Sequence, residues 1–159
     1  MAKSVYCAVV AAALVAVAPA ACSSEGGGEP EEMEAAAFCE SETRAEPYSA
    51  SMTKVGDSGV SVTIADAMPA PPAIFDNQWT LDIADAAGNP IEGATLAVQP
   101  FMPDHGHPTN RESVVTEVGG GTYEVDPVNF MMGGYWEVTV DVETADMTDS
   151  VIFKFCIPG

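Results

Sequence analysis

The two histidines of the chain lie in one short segment that also contains a methionine. Residues 102–107 read Met-Pro-Asp-His-Gly-His, and a methionine pair followed by two glycines lies further along, at residues 131 and 132. Imidazole nitrogen and thioether sulfur are ligands that bind copper, and thioether is soft enough to favour Cu(I). These residue types therefore predict a copper site whose candidate ligands are Met102, His105, His107, Met131 and Met132.

The spacing of the histidines suits a pair of ligands. In an extended backbone, His105 and His107 point to the same side of the chain. Gly106 between them permits the positive φ that a tight ligand loop requires. A metal-bound imidazole usually donates its other ring N–H to an acceptor, and Asp104 is the nearest candidate for that role. The methionine pair must fold back across the molecule to complete the site, which the end of a β-sandwich would allow.

Two alternatives to a metal site remain open. The methionines could fill gaps in a hydrophobic core, and the histidines could belong to a structural turn in which they bond backbone carbonyls. The same loop could also recognise a partner protein without any metal. Among other metals, calcium fits less well because no Asp-x-Asp-x-Asp-Gly loop is present. Zinc fits less well because structural zinc sites have four ligands.

Motifs and charge exclude several other classes of protein. The chain contains no Gly-x-Ser-x-Gly, no phosphate-binding glycine loop and no His-Glu-x-x-His, which predicts a protein that is not an enzyme. The net charge is −19, with 5 Lys and Arg against 24 Asp and Glu. Nucleic-acid binding needs clustered basic residues, so it is excluded, and anionic lipid headgroups would repel such a domain.

The first residues predict export. Lys3 precedes an almost wholly apolar stretch at residues 5–17, and small residues follow at 18–21. This pattern is typical of a signal peptide, here residues 1–21, and the stretch is too short for a convincing membrane span. Ala20-Ala21-Cys22 resembles a bacterial lipobox, in which Cys22 is lipidated, although Pro19 departs from the usual aliphatic residue. Ordinary cleavage at the small residues is the alternative.

The segment after the signal peptide predicts a tether. Residues 22–37 are dominated by Gly, Glu and Pro, a composition that buries too little apolar surface to order itself. We expect a flexible acidic tether that joins the lipidated cysteine to a domain at residues 38–159. The protein would then lie on the periplasmic face of the outer membrane or on the cell surface, and the membrane would be contacted only through the lipid. Without the lipid it would be soluble in the periplasm.

The remaining cysteines predict a disulfide. Cys7 is removed with the signal peptide, and Cys22 is the candidate lipid site. Cys39 and Cys156 are left, one at each end of the predicted domain. Two leftover thiols in an oxidising compartment are expected to pair.

Alternation of apolar and polar residues predicts an all-β domain. About seven short strands are separated by glycine-rich turns, and the clearest carries Trp136, Val138, Val140 and Val142 on one face. Strands at this spacing favour an immunoglobulin-like β-sandwich of antiparallel strands, with a small closed barrel as the alternative. Residues 99–111 are expected to form a long loop that carries the histidines. The predicted strands contain residues 60–64, 79–83, 96–98, 114–118, 122–125, 136–142 and 151–155.

Several blocks of the sequence resemble a known family. The blocks are Trp-x-Leu-x-Ile from residue 79, Met-Pro-x-His-Gly-His from 102, Gly-x-Tyr from 121 and Phe-Met-Met-Gly-Gly-Tyr-Trp from 130. Their order is similar to that of the YtkA-like domain family and, more distantly, to the FixH-like proteins. The resemblance covers roughly residues 76–156.

The resemblance implies a small exported bacterial domain with an immunoglobulin-like sandwich. A link to copper is inferred for some members of the family, and the matching positions are Met102, His105, His107 and either Met131 or Met132. The chain lacks Met-x-Met repeats and histidine-rich tails, so at most one copper ion is expected. The expected partner is an envelope protein that receives the copper.

Overall fold

The structure is a computed structural model that describes residues 30–159. In this range it contains one helix, α1, and nine strands, β1–β9. Their bounds are α1 Pro30–Ser41, β1 Met52–Val55, β2 Ser61–Met68, β3 Phe75–Ala84, β4 Thr95–Met102, β5 His107–Pro108, β6 Val114–Gly119, β7 Thr122–Phe130, β8 Gly134–Glu143 and β9 Thr148–Ile157.

The strands form two separate antiparallel sheets. One sheet has the order β1-β2-β3-β7-β6, and the other has the order β5-β4-β8-β9. Alternating strand residues point inward from both sheets, as in a sandwich. The prediction of an all-β, immunoglobulin-like β-sandwich is therefore confirmed, and the closed barrel is not adopted.

Aromatic residues from both sheets fill the core. Trp79 of β3 and Trp136 of β8 are both buried, as their positions in the alternating pattern predict. Trp79 packs edge-on against Phe155 of β9, with ring centroids 5.7 Å apart. Phe130, at the end of β7, packs at 5.6 Å from Trp136 and joins the two sheets at the end of the sandwich where the histidines lie.

The prediction of a long loop at residues 99–111 is wrong for residues 99–102 and 107–108, which belong to strands. Strand β4 continues to Met102 because alternate residues up to Met102 point into the core. The chain then reverses, and His107 pairs with Met102 in a short hairpin. Two strands, β1 and β5, were not predicted, since four and two residues are too few to show an alternating pattern.

The N-terminal part of the described chain contains a helix that the sequence does not reveal. Residues 30–37, which were predicted to be the end of a flexible tether, form the first part of helix α1. The rest of that tether lies outside the described residues. The apolar residues of α1 have no helical period. The helix is held to β9 by a disulfide between Cys39 and Cys156, whose Cα atoms are 5.5 Å apart. The predicted disulfide is thus confirmed.

The predicted signal peptide and the candidate lipid site at Cys22 lie outside the described residues. Within residues 30–159, no helix has the length and apolar character needed to cross a membrane.

Candidate metal centre

The histidines lie on a tight turn between β4 and β5. The carbonyl of Met102 accepts hydrogen bonds from the amides of Gly106, at 2.8 Å, and His105, at 3.2 Å. Gly106 has a φ of +68°, which is the left-handed conformation expected of it. The His-Gly-His segment is not extended, because His105 lies within the turn whereas His107 begins β5.

The turn nevertheless brings the two imidazoles together. The ring centroids of His105 and His107 are 5.6 Å apart, with an angle of 62° between the ring planes. Two imidazoles that share one metal ion at about 2.0–2.1 Å from each ligating nitrogen have centroids about 5–6.5 Å apart. The distance between the two rings is therefore compatible with one shared ion.

His107 has an acceptor that orients its ring, but this acceptor is not the predicted one. Its Nδ1 lies 3.1 Å from the carbonyl oxygen of Pro108. When Nδ1 carries the hydrogen, it donates to this carbonyl and leaves Nε2 as the nitrogen with a free lone pair. The ring also packs edge-on against Trp136, with centroids 6.2 Å apart. A backbone carbonyl gives no signal in a sequence, so sequence reasoning could not find it.

Asp104 is bound by Arg44, a residue that sequence reasoning did not single out. Arg44 donates from Nη1 to Oδ1 and from Nη2 to Oδ2 of Asp104, both at 2.7 Å. These hydrogen bonds hold the pKa of the Asp104 carboxyl below its ordinary value. Within the described part of the chain, neither imidazole is hydrogen-bonded to Asp104. The structure therefore gives this carboxylate a different partner from the one predicted.

The methionines meet His105 at a surface cleft. The cleft has a volume of about 670 Å³, and its walls include Met102, His105, Met131 and Met132. Met131 and Met132 are 37% and 39% exposed, whereas Met102 is only 3% exposed and belongs to the hydrophobic core. Two thioethers are thus accessible beside His105, and the third forms the inner wall. His107 faces His105 but does not line the cleft.

The bend that carries the methionine pair is fixed by close packing. Trp136 donates from Nε1 to the carbonyl of Met132 at 3.0 Å. At Gly133, an added Cβ would lie 2.5 Å from the Cβ of Ala35 in α1, so this bend requires glycine. The polypeptide between β7 and β8 is therefore held against both the core and the helix.

The mouth of the cleft also displays an aromatic side chain. Phe75 is 61% exposed and has a φ of +70°, which is a strained conformation for a bulky residue. The buried amide of Asn77 holds this turn. Its Nδ2 donates to the carbonyls of Ala73, Phe75 and Val128, and its Oδ1 accepts from the amide of Ala73. Phe75 was not predicted; local hydrogen bonds of Asn77 to residues 73 and 75, together with one long-range bond to Val128, hold this turn.

The available donors suit a soft metal ion better than a hard one. In the range that the structure describes, no group of three or more His, Cys, Asp and Glu side chains is arranged to hold a metal ion. The cluster instead offers two imidazoles together with thioether sulfur, the donor set that suits copper and in particular Cu(I). A calcium site, which needs six or more oxygen ligands, does not fit.

Comparison with known proteins identifies the family. Residues 54–141 match the model of the YtkA-like family. Among solved structures, the chain is similar to a copper-bound variant of FetP from uropathogenic Escherichia coli strain F11. The identity is 14%, the match covers 70% of this chain and 97% of that chain, and the TM-score is 0.45. None of the curated proteins matches. Since the family model spans more than half of the chain, from β1 into β8, the chain belongs to the YtkA-like family.

Proposed function

We propose that this protein binds one copper ion through His105 and His107, with sulfur supplied by Met131 or Met132. The observation that carries the proposal is the convergence of two chain reversals at one end of the sandwich. One reversal presents the imidazole pair, and the other presents two accessible thioethers in the cleft that His105 lines. The proposed role is binding and transfer of copper rather than catalysis.

The two ligand types have different tasks in this proposal. Imidazole nitrogen binds both oxidation states of copper, whereas thioether sulfur favours Cu(I). Met102 is nearly inaccessible, so Met131 and Met132 are the stronger sulfur candidates. Because they lie at the surface, a copper ion held there is reachable by an acceptor protein in the cell envelope.

The proposed location is the cell envelope. The signal-like residues 1–21 and the lipobox-like Cys22 support export and attachment through a lipid, with the domain on the periplasmic face of the outer membrane or at the cell surface. The Cys39–Cys156 disulfide is consistent with an oxidising compartment. Mass spectrometry of the protein isolated from membranes would detect an acylated Cys22, and an unmodified, cleaved N-terminus would leave the protein soluble in the periplasm.

Copper titration of the purified protein tests the proposal. Trp136 lies 6.2 Å from the ring of His107, so Cu(II) bound there should quench its fluorescence. Replacing both histidines by Ala should abolish saturable uptake of one equivalent. If the double variant takes up copper as the wild-type protein does, the uptake is only attraction to an acidic surface.

A matched pair of methionine variants separates sulfur ligation from packing. Replacing Met131 and Met132 by Leu should weaken Cu(I) more than Cu(II) while keeping the apolar volume. The control is Met68→Leu, because Met68 is 65% exposed on β2 and does not line the cleft. Equal Cu(I) affinity in both variants would show that the sulfur atoms of Met131 and Met132 do not bind the copper ion.

A metal-free interaction module is the second candidate function. It is favoured by the exposed Phe75, whose strained backbone is held by Asn77 at the mouth of an apolar cleft. Strained residues often cluster at functional sites. If the wild-type protein binds no copper, this surface becomes the principal candidate for function.

A further inference from the structure

Arg44 lies at the centre of a network of hydrogen bonds and ion pairs that connects the N-terminal segment to the histidine turn. Its Nη1 and Nη2 donate to the two carboxylate oxygens of Asp104 at 2.7 Å. Its Nε and Nη2 donate to Glu42 at 3.0 and 2.6 Å. Its guanidinium carbon lies 4.1 Å from the centroid of the Tyr135 ring. The guanidinium is thus fixed on two edges by carboxylates and on one face by an aromatic ring.

These contacts join three separate parts of the molecule. Arg44 follows α1, which the Cys39–Cys156 disulfide attaches to β9. Tyr135 belongs to β8, and Asp104 belongs to the turn between β4 and β5. Arg44 therefore braces the turn against an anchored segment and a central strand. It lies outside residues 54–141, the part matched by the family model.

We infer that Arg44 is a positioning residue for the copper site, which it serves by holding Asp104 and with it the turn that carries His105. This inference rests on the proposed function. Asp104 directly precedes His105 in a turn of four residues, so fixing the carboxylate restricts where the imidazole can lie. A ligand loop that is already ordered loses less conformational entropy when it binds a metal. Groups that orient metal ligands typically affect metal affinity about 10–100-fold.

The geometry explains why arginine occupies this position. A guanidinium presents two parallel N–H donors to a carboxylate and stacks on an aromatic ring, whereas an ammonium group does neither in a fixed orientation. Exposed ion pairs contribute little to folding stability, and the side chains of Arg44 and Asp104 are 45% and 37% exposed. Removing the brace should therefore loosen the turn without unfolding the domain.

The chain offers a matched control for this ion pair. Arg111 donates from Nη1 to Asp76 at 2.6 Å, and these side chains are 55% and 44% exposed. This pair is also an exposed Arg–Asp ion pair, joined by one hydrogen bond instead of two, and neither residue belongs to the histidine turn. Arg111→Gln should therefore leave copper affinity unchanged.

The sign of the effect separates positioning from simple electrostatics. Arg44→Gln removes a positive charge near a cation site, so Coulomb repulsion alone predicts tighter copper binding. Loss of positioning predicts weaker binding, by about tenfold. Arg44→Lys retains the charge but loses the paired donors, so it should not restore the affinity of the wild-type protein.

The experiment measures the dissociation constant for Cu(II) by competition with a chelator, together with the thermal midpoint of unfolding, for the full chain and its variants. We expect Arg44→Gln and Asp104→Asn each to bind about tenfold more weakly. The double variant should bind no more weakly than either single variant, because the two residues act as a unit. The thermal midpoints should stay close to that of the wild-type protein. Should Arg44→Gln fold poorly, Arg44→Lys still reports on positioning, because it keeps the positive charge but loses the paired donors to Asp104.

Three outcomes would overturn the inference. These are unchanged or tighter binding in Arg44→Gln, full recovery of affinity in Arg44→Lys, or an equal loss in Arg111→Gln. Failure of the proposed function gives a different result, in which the wild-type protein and the variant lacking both histidines take up copper equally.

Discussion

Tyr135 contacts charged side chains from two parts of the molecule, Arg44 of the N-terminal segment and Glu137 of β8. Its ring lies beneath the guanidinium of Arg44, and its hydroxyl donates to Oε1 of Glu137 at 2.8 Å. Burial, followed by this hydrogen bond to a carboxylate, raises the pKa of the phenol above its ordinary value. Both causes favour the neutral hydroxyl in the folded protein.

The raised pKa of Tyr135 predicts a loss of stability in alkali. The unfolded chain releases this proton near pH 10, whereas the folded protein retains it to higher pH. The contribution of Tyr135 to stability is therefore complete below about pH 10 and is lost as the pH rises further. Urea unfolding between pH 8 and 11 should show a steeper decline for the wild-type protein than for Tyr135→Phe. Parallel declines would contradict the prediction.

The hairpin of β4 and β5 is the element that places the two imidazoles beside each other. Its turn closes on the carbonyl of Met102 and depends on the positive φ of Gly106. An added Cβ at Gly106 would meet no atom within 4 Å. Glycine is therefore required here for its backbone conformation and not for space.

Gly106→Ala should separate the conformation of the turn from general stability. A Cβ in the left-handed region costs roughly 1–2 kcal/mol, so the turn should shift and copper affinity should fall. Gly88→Ala is the control, since Gly88 also has a positive φ, of +83°, and open space around it. Both variants should lose a similar free energy of unfolding, but only Gly106→Ala should bind copper more weakly. A similar affinity in the two variants would mean that the turn conformation is not needed for the site.

At the scale of the whole molecule, the sandwich carries a large negative charge with few compensating cations. In the described part of the chain, each Lys and Arg forms an ion pair: Arg44 with Glu42 and Asp104, Lys54 with Glu46, Arg111 with Asp76 and Lys154 with Glu137. The unpaired charge of the surface is therefore anionic, which concentrates cations around the domain. The covalent link between the helix and the last strand resists the opening that this self-repulsion favours.

Removing the disulfide should destabilise the whole domain. Cys39 and Cys156 are separated by 117 residues, and closing so long a loop in the unfolded chain is worth about 4–5 kcal/mol in the chain-entropy model. The variant with both cysteines replaced by Ser should unfold at a clearly lower urea concentration than the wild-type protein. Thiol labelling of the denatured, unreduced wild-type protein should detect neither cysteine. Two reactive thiols, or an unchanged midpoint, would contradict this prediction.

Much of the fold follows from local pattern. From Trp136 onward the apolar residues of β8 alternate with polar ones, and in β9 buried residues alternate with more exposed ones, because each strand has one face in the core. The burial of Trp79 and Trp136 could be predicted from this alternation. The disulfide could be predicted from the number and positions of the cysteines. Helix α1 could not, because its residues show no amphipathic period and it is held by contacts and a disulfide to distant strands.

The sequence by itself determined which residues could bind copper and that they stand on an all-β domain, because residue chemistry and the alternation of strand residues are local properties. Only the tertiary structure decided that Met131 and Met132 meet His105 at one cleft and that Asp104 is held by Arg44. Arg44 and Asp104 are 60 residues apart in the chain. A contact across that distance is set by how the two sheets and the N-terminal segment pack, and no local spacing records it.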